Sequence, residues 1–128
     1  MTTAIQLNGV RKQWEEFQWG PIDLKLDIGY VIAVVGPNGS GKSTLFRILM
    51  NMIQPDEGTV SLLGERYLTS EIAIKRRIGY LPEWRPYEDM NFTLKDVKQF
   101  MAPLYPGWDE RMYNELLEKF SLQENARL

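Results

Sequence analysis

A glycine-rich octapeptide constrains this chain more than any other feature of its sequence. The segment Gly36-Pro37-Asn38-Gly39-Ser40-Gly41-Lys42-Ser43 fits the pattern G-x-x-x-x-G-K-[ST] without a mismatch. Its three glycines let the backbone turn tightly and approach a ligand with no Cβ in the way. Successive N–H groups then form a concave anion site, to which a helix that begins near Gly41 adds the positive end of its dipole. The octapeptide therefore predicts a backbone cradle for phosphate.

The segments on either side of the octapeptide predict the structural context that such a cradle needs. Residues 30–35 are almost all apolar and rich in β-branched side chains, which predicts a central parallel strand covered on both faces. Residues 44–53 form an apolar segment of helical length that is closed by Gln54-Pro55. The alternative interpretation is a Gly/Ser-rich turn between strand and helix that binds nothing.

Composition excludes several other classes of chemistry. The 128 residues suffice for one modest domain or a piece of a larger one, and they include no cysteine and no histidine. Disulfides, thiolate metal sites and imidazole bases are therefore excluded. The net charge of −2, with both signs interspersed, gives no sign of a nucleic-acid partner. No apolar run approaches the ~20 residues that span a bilayer, and residues 1–4 do not resemble a secretory signal, so we expect a cytoplasmic setting.

Strands are predicted to dominate the first eighty or so residues. Residues 4–10 and 22–28 alternate between apolar and polar side chains, as half-exposed antiparallel strands do. A turn at residues 55–58 precedes a third strand at 59–63. A short charged helix at 70–77 and a short strand at 78–81 are predicted to follow.

Helices are predicted for the rest of the chain. Thr93-Leu94-Lys95-Asp96 has the form of a capping box, with Asp in place of the usual Glu. Apolar residues follow it at helical spacing, Pro106-Gly107 interrupts them, and a second stripe has its members four apart: Trp108, Met112, Leu116 and Phe120. We therefore predict a core over residues 1–83 and the beginning of a helical subdomain over 84–128.

Together these motifs resemble the N-terminal half of an ATP-binding cassette (ABC) ATPase domain, from about Ile5 to the end of the chain. Small-molecule kinases share the loop but many carry it on their first strand, whereas here strands of antiparallel type precede it. The resemblance implies an α/β fold: an incomplete P-loop NTPase (ABC ATPase) core with an N-terminal antiparallel β subdomain and the start of a helical subdomain. It also implies ATP and Mg²⁺ as cofactors.

The resemblance assigns roles to individual residues of this chain. Residues 36–44 match the family's phosphate loop, in which Lys42 reaches the β- and γ-phosphates, Ser43 ligates Mg²⁺ and Thr44 contacts the α-phosphate. Trp14 stands where the family carries an aromatic residue that stacks on adenine, with Trp19 as the alternative. Trp14 packing under the strands is the other interpretation. The predicted nucleotide-binding residues are Trp14, Gly36, Pro37, Asn38, Gly39, Ser40, Gly41, Lys42, Ser43 and Thr44.

Glu83 departs from the family pattern. Residues 77–83 resemble the family's Q-loop, but Glu83 replaces the usual Gln, as in branches that resemble ABC-2-type exporters. A carboxylate oxygen suits Mg²⁺, so Lys42 and Glu83 are the predicted catalytic residues, and Ser43 and Glu83 the predicted metal ligands. An exposed loop glutamate is the alternative. The nearby aromatic residues Trp84, Tyr87, Phe92 and Trp108 would line a groove for a helix of the membrane partner, or pack between helices.

The resemblance implies the ATP-binding subunit of an ABC transporter, peripheral at the cytoplasmic face of the membrane. Its partners would be a transmembrane permease subunit and a second ATPase subunit. The sequence contains no signature motif, no apolar strand ending in the Walker B aspartate and no switch histidine. We therefore expect this chain to bind MgATP weakly and to hydrolyse it negligibly by itself. A non-transport ABC ATPase in translation or DNA repair, an inert nucleotide-binding fragment and a P-loop kinase remain alternatives.

Overall fold

The computed structural model of this chain describes residues 2–83 and 90–128. Its internal contacts divide it into two compact units, Met1–Lys75 and Arg76–Leu128. The domain bounds predicted from the sequence, 1–83 and 84–128, stay predictions. Trp84 and Tyr87, two of the aromatic residues predicted to line a groove, lie outside the described residues.

A three-stranded antiparallel sheet forms the first part of the Met1–Lys75 unit. Its strands are β1 (Thr3–Gln13), β2 (Gln18–Asp27) and β3 (Glu57–Leu62), in the spatial order β2-β1-β3. Leu7 at the centre of β1 lies opposite Leu24 of β2 and Val60 of β3, and it is fully buried. The sheet thus buries one face of each alternating segment, and the three strands predicted in these regions are confirmed.

Helix α1 (Lys42–Leu49) follows the glycine-rich loop and is shorter than predicted. The chain turns out of the helix at Asn51, which has a left-handed φ of 59°. The Met52 N–H donates to the Arg47 carbonyl (2.8 Å) and the Asn51 N–H to the Ile48 carbonyl (3.1 Å), which together form a Schellman ending. The expectation of a helix over residues 44–53 was therefore wrong at its end, because Asn51 terminates it before Gln54-Pro55.

Helix α2 (Tyr67–Lys75) completes this unit, with an irregularity at Ser70, where φ is −141° and ψ is 30°. The Tyr67 hydroxyl donates to the Leu49 carbonyl at the end of α1 (2.6 Å), and the Ile74 side chain is buried. The buried apolar side chains of the described residues are Leu7, Val10, Trp19, Ile48, Leu49, Leu62 and Ile74. All of them belong to this unit, which places its core between the sheet and the two helices.

Two predicted strands are absent from the described part of the chain. Residues 30–35 and 78–81 form no ladder, and the side chains of Val31 and Val35 are 104% and 88% exposed. A strand of a parallel sheet obtains its hydrogen bonds and its cover from segments distant in sequence. The described residues offer residues 30–35 no such neighbour, so the prediction of a buried central strand was wrong for this structure.

The Arg76–Leu128 unit contains helices α3 (Leu94–Met101) and α4 (Glu110–Lys119), with a 3-10 turn over Ala102–Leu104 between them. The predicted capping box is confirmed at the start of α3. The Asp96 N–H donates to Thr93 Oγ1 (3.2 Å), and the Thr93 N–H donates to Asp96 Oδ2 (2.9 Å). These bonds satisfy two amides that the helix itself leaves unpaired.

The Lys98 ammonium group joins three segments of this second unit. It forms an ion pair with Glu110 at the start of α4, lies 3.7 Å from Glu124 Oε1 and sits 4.6 Å from the centre of the Tyr113 ring. Hydrogen bonding to Glu110 is the main cause that raises the pKa of Lys98, although burial opposes it. The same pairing lowers the pKa of Glu110. Charge pairing therefore holds α3, α4 and the segment around Glu124 together.

The apolar stripe predicted on the second helix of this unit exists, but it is not buried. Met112, Leu116 and Phe120 lie on α4 or at its end and are 58%, 45% and 61% exposed. Trp108 precedes the helix, and its ring centroid lies 5.6 Å from that of Tyr113. Its indole N–H donates to Glu110 Oε2 (2.9 Å). Trp108 thus packs locally and is not part of a buried core.

We expect the substitution Thr93→Ala to destabilise the chain by about 1 kcal/mol, because it removes the side-chain oxygen that caps α3. Urea unfolding followed by circular dichroism at 222 nm measures the change. Thr93→Ser retains the hydroxyl and should stay close to the parent chain. An alanine variant as stable as the parent would contradict the role of this cap.

Candidate functional site

The glycine-rich loop folds back on itself between residues 36 and 41. The Ser40 N–H donates to the Pro37 carbonyl (3.2 Å), which closes a tight turn with Gly39 at a φ of 83°. A Cβ on Gly36 would lie 2.8 Å from Ser40 Oγ, so a larger residue at position 36 would displace the serine. Asn38 and Ser40 are exposed. The loop therefore presents its backbone to solvent in the curved form that the octapeptide predicts.

Gly41 joins this loop to α1. It has a φ of 97°, and α1 begins at the next residue, Lys42, close to the start that the sequence predicted. No side chain caps this helix. The Gly41 carbonyl accepts two hydrogen bonds, one from the Leu45 N–H (3.1 Å) and one from the indole Nε1–H of Trp19 (3.2 Å). A Cβ on Gly41 would lie 2.5 Å from Trp19 Cδ1. Only glycine therefore meets both the backbone angle and the approach of the indole ring.

The Lys42 side chain curls back over the loop that precedes it. Its ammonium group donates to the Gly36 carbonyl and, at 3.2 Å, to the Pro37 carbonyl. The positive charge thus lies against two carbonyl groups of the loop, which are neutral dipoles. Because a charged acceptor binds an ammonium more strongly than a neutral one, an anion in the loop would compete for the same group.

The first turn of α1 is suited to an anion with an accompanying metal ion. It carries no acidic residue, and it includes the hydroxyl-bearing side chains of Ser43, which is exposed, and Thr44, which is half-buried. Within residues 2–83 and 90–128, no three His, Cys, Asp or Glu side chains gather as a protein metal cage. Mg²⁺ commonly binds through phosphate oxygens, water and one or two protein oxygens, so a single hydroxyl at this position fits that chemistry.

Trp14 lies at the tip of the hairpin that joins β1 and β2. Its N–H donates to the Phe17 carbonyl (2.8 Å), and the two rings stack with centroids 6.1 Å apart at 27°. Both rings are partly exposed, at 36% for Trp14 and 42% for Phe17. Trp19 is only 4% exposed, so its ring faces are not open to a base. Of the two tryptophans considered, the structure leaves Trp14 as the candidate for stacking, and its contact with adenine stays a prediction.

Asp56 anchors the end of β1 beside Trp14. Its carboxylate accepts a hydrogen bond from the Gln13 N–H (2.8 Å) and one from Lys12 Nζ (3.1 Å). The bond from Gln13 is the main cause that lowers the pKa of Asp56 below its ordinary 3.8, and Lys12 adds to it. The turn before β3 thus fixes the residue that immediately precedes Trp14.

Glu83 belongs to the second unit, whereas Ser43 belongs to the first. The carboxylate of Glu83 is exposed. Its predicted role as a metal ligand and catalytic residue, and the predicted groove residues Phe92 and Trp108, stay predictions.

The sequence analysis did not assign three contacts that support Gly41 and the Trp14 hairpin tip. Trp19 supports Gly41 from the side, Phe17 pairs with Trp14, and Asp56 anchors Gln13. A signal existed for Phe17, since aromatic residues flanking a two-residue hairpin tip face each other across it. The contacts of Trp19 and Asp56 link residues 22 and 43 positions apart in sequence, and no local pattern reports such contacts.

Comparison with known proteins places this site in a family. A model described as ABC transporter matches residues 20–128. The chain is 36% identical to the sulfate/thiosulfate import ATP-binding protein CysA of Bacillus cereus, over 97% of this chain and 36% of that protein. It is 30% identical to the daunorubicin resistance ATP-binding protein DrrA3 of Streptomyces coeruleorubidus, over 98% of this chain and 40% of that protein.

A solved structure of an ATP binding subunit of an ABC transporter superimposes with a TM-score of 0.81 at 25% identity, over 98% of this chain and 54% of that one. The chain therefore belongs to the ABC transporter family, and the predicted fold class is confirmed, as an incomplete ABC ATPase fold. The chain spans between a third and two fifths of the length of the two curated relatives.

We expect Asp56→Asn to change how stability depends on pH. Because folding lowers the pKa of Asp56, its charge stabilises the folded state above the unfolded pKa of 3.8, and this contribution is lost as the pH falls through the folded pKa. The stability difference between parent and variant should thus be constant from about pH 7 to about pH 5 and shrink below about pH 4.

Urea unfolding at each pH measures this difference. Glu16→Gln is the matched control, because it removes a carboxylate from the exposed tip of the same hairpin. If the Asp56 variant parallels the parent chain at every pH, the carboxylate does not anchor Gln13.

Proposed function

We propose that this chain is the nucleotide-binding part of the ATP-binding subunit of an ABC transporter, and that residues 36–44 hold the phosphates of ATP. The position of the Lys42 ammonium supports this proposal most directly, because it lies on the loop carbonyls of Gly36 and Pro37. The cation is thus held where the loop N–H groups and the start of α1 also favour negative charge. The triphosphate of ATP would contact the Lys42 ammonium, the loop N–H groups and the start of α1.

Each residue of the loop would contribute a distinct contact to bound nucleotide. Lys42 would bind the β- and γ-phosphates, the backbone N–H groups of the loop would surround them, and the Thr44 hydroxyl would reach the α-phosphate. Ser43 would hold Mg²⁺, with Glu83 as a second oxygen ligand. When bound, Mg²⁺ neutralises phosphate charge, which would allow the Glu83 carboxylate to approach. Trp14 would stack on adenine through the ring face that Phe17 leaves exposed.

We propose that the whole protein acts in transport across a membrane. The relatives named above are an import ATP-binding protein and a resistance ATP-binding protein, so the similarity favours neither direction of transport. No helix in the described part of the chain is long and apolar enough to cross a membrane. We propose that a transmembrane permease subunit provides the path for the substrate and that a second ATPase subunit pairs with this one at the cytoplasmic face of the membrane.

Binding without appreciable hydrolysis is the activity that we propose for this chain alone. Phosphoryl transfer requires an oriented nucleophile as well as charge neutralisation. Lys42, Ser43 and Mg²⁺ would neutralise the phosphate charge. Only Glu83, the one acidic side chain predicted near the phosphates, would be left to orient the attacking water. The ABC transporter match and the net charge of −2 give less support to a nucleic-acid function than to transport.

Lys42→Ala should weaken the binding of MgADP and MgATP roughly 10- to 100-fold, because it removes a charge-assisted hydrogen bond to phosphate. Isothermal titration calorimetry of the 128-residue chain measures the affinity. Lys25→Ala removes the same charge from an exposed position on β2 and should bind nucleotide as the parent does. If the parent chain binds neither nucleotide, or if Lys42→Ala binds both as tightly as the parent, the proposed site is wrong.

Trp14→Ala should weaken ATP binding roughly 5- to 100-fold if the indole stacks on adenine, whereas Trp14→Phe should stay near the parent because it keeps an aromatic face. Inorganic triphosphate separates the two halves of the site, since it has no base. Its affinity should be the same for the parent chain and for both variants. Equal losses of ATP and triphosphate affinity in Trp14→Ala would show that Trp14 does not contact the base.

A further inference from the structure

We propose that Trp19 is a positioning residue for the phosphate loop, through the hydrogen bond from its indole N–H to the Gly41 carbonyl. This inference rests on the proposed function of the loop, and it concerns a residue that does not itself touch the nucleotide. Trp19 belongs to β2, so the bond ties the loop and the start of α1 to the antiparallel sheet.

The Gly41 carbonyl accepts hydrogen bonds from two donors, one for each lone pair of its oxygen. One is the Leu45 N–H at 3.1 Å, the first backbone bond of α1, and the other is the Trp19 indole at 3.2 Å. Loss of the indole bond would leave this carbonyl with its helical partner, so it would not create an unsatisfied buried group. The Gly41 carbonyl therefore has a hydrogen-bond donor even without the indole. The indole bond instead fixes the position of this carbonyl relative to β2.

The ring of Trp19 fixes the same junction by contact. The side chain is 4% exposed, and its Cδ1 would lie 2.5 Å from a Cβ on residue 41. No side chain caps α1, so the other means of holding its first turn is missing. Ring contact and hydrogen bond thus restrict Gly41, the residue through which the loop joins the first turn of α1.

A loop held in its binding geometry loses less freedom when a ligand binds. Trp19→Phe keeps most of the ring contact and removes the indole donor, so the variant should fold and bind MgADP roughly 2- to 10-fold more weakly than the parent. In the absence of nucleotide, the Leu45 amide should exchange its hydrogen several-fold faster in the variant, because the junction that holds its acceptor is looser.

Two control variants test whether weaker binding comes from the position of the loop. One removes an indole donor elsewhere, and the other lowers the stability of the sheet. Trp108→Phe removes an indole donor that is bound to Glu110 in the other unit, and it should leave MgADP affinity unchanged. Val10→Ala removes methyl groups from a fully buried position of the sheet, and it should lower stability without weakening MgADP binding. Calorimetry gives the affinities, and amide exchange followed by nuclear magnetic resonance gives the local opening.

The outcomes distinguish this inference from the proposed function. Weaker binding and faster Leu45 exchange in Trp19→Phe alone support the role of Trp19, and parent-like affinity in the folded variant overturns it. If the parent chain does not bind MgADP, the proposed function fails, and the Leu45 exchange rate decides whether Trp19 positions the loop. If Trp19→Phe does not fold, the parent chain decides: a Trp19 indole proton protected from exchange and shifted by MgADP supports the proposal, and an unprotected one overturns it.

Discussion

The Gly41 carbonyl is the acceptor on which the geometry of the candidate site depends. It receives the first backbone bond of α1 from Leu45 and the indole bond of Trp19, and it belongs to Gly41, whose φ of 97° favours glycine over other residues. Helix, sheet and loop therefore meet at one peptide group. The start of α1 and the turn of residues 37–40 are joined through this group, so its orientation sets how helix and turn follow one another.

Electrostatics would favour an anion in the loop once that geometry exists. The Lys42 ammonium lies on the Gly36 and Pro37 carbonyls, which hold it near the space that phosphate would occupy. Carbonyl dipoles are weaker partners than phosphate oxygens, so the charge is placed without being neutralised. Asp56 likewise fixes the position of Gln13, the residue that precedes Trp14 at the hairpin tip.

Local patterns in the sequence were sufficient for much of this structure. The two alternating segments became β1 and β2, the segment after the predicted turn became β3, and the capping box at Thr93 and Asp96 formed with both of its bonds. Each of these features depends on residues close in sequence or on a periodicity that has one buried face. The end of α1 was missed, since Asn51 adopts a left-handed conformation that asparagine tolerates but does not require.

The exposed apolar segments show where local patterns are insufficient. Residues 30–35 have the composition of a buried strand, yet in this structure they join no sheet and are exposed. The α4 stripe is likewise periodic and likewise uncovered. Composition reports that a segment is suited to burial, whereas burial itself requires a neighbour that the described residues do not supply.

The sequence by itself determined the glycine-rich loop, the family resemblance, the three strands and the capped helix α3, because short runs of residues specify those features. Only the tertiary structure decided that Trp19 supports Gly41, that Phe17 pairs with Trp14 and that Asp56 anchors Gln13. The physical reason is that these contacts depend on the packing of strand, hairpin and turn in space. A residue's partner across that packing is set by the fold of the whole unit, and its neighbours in sequence do not reveal it.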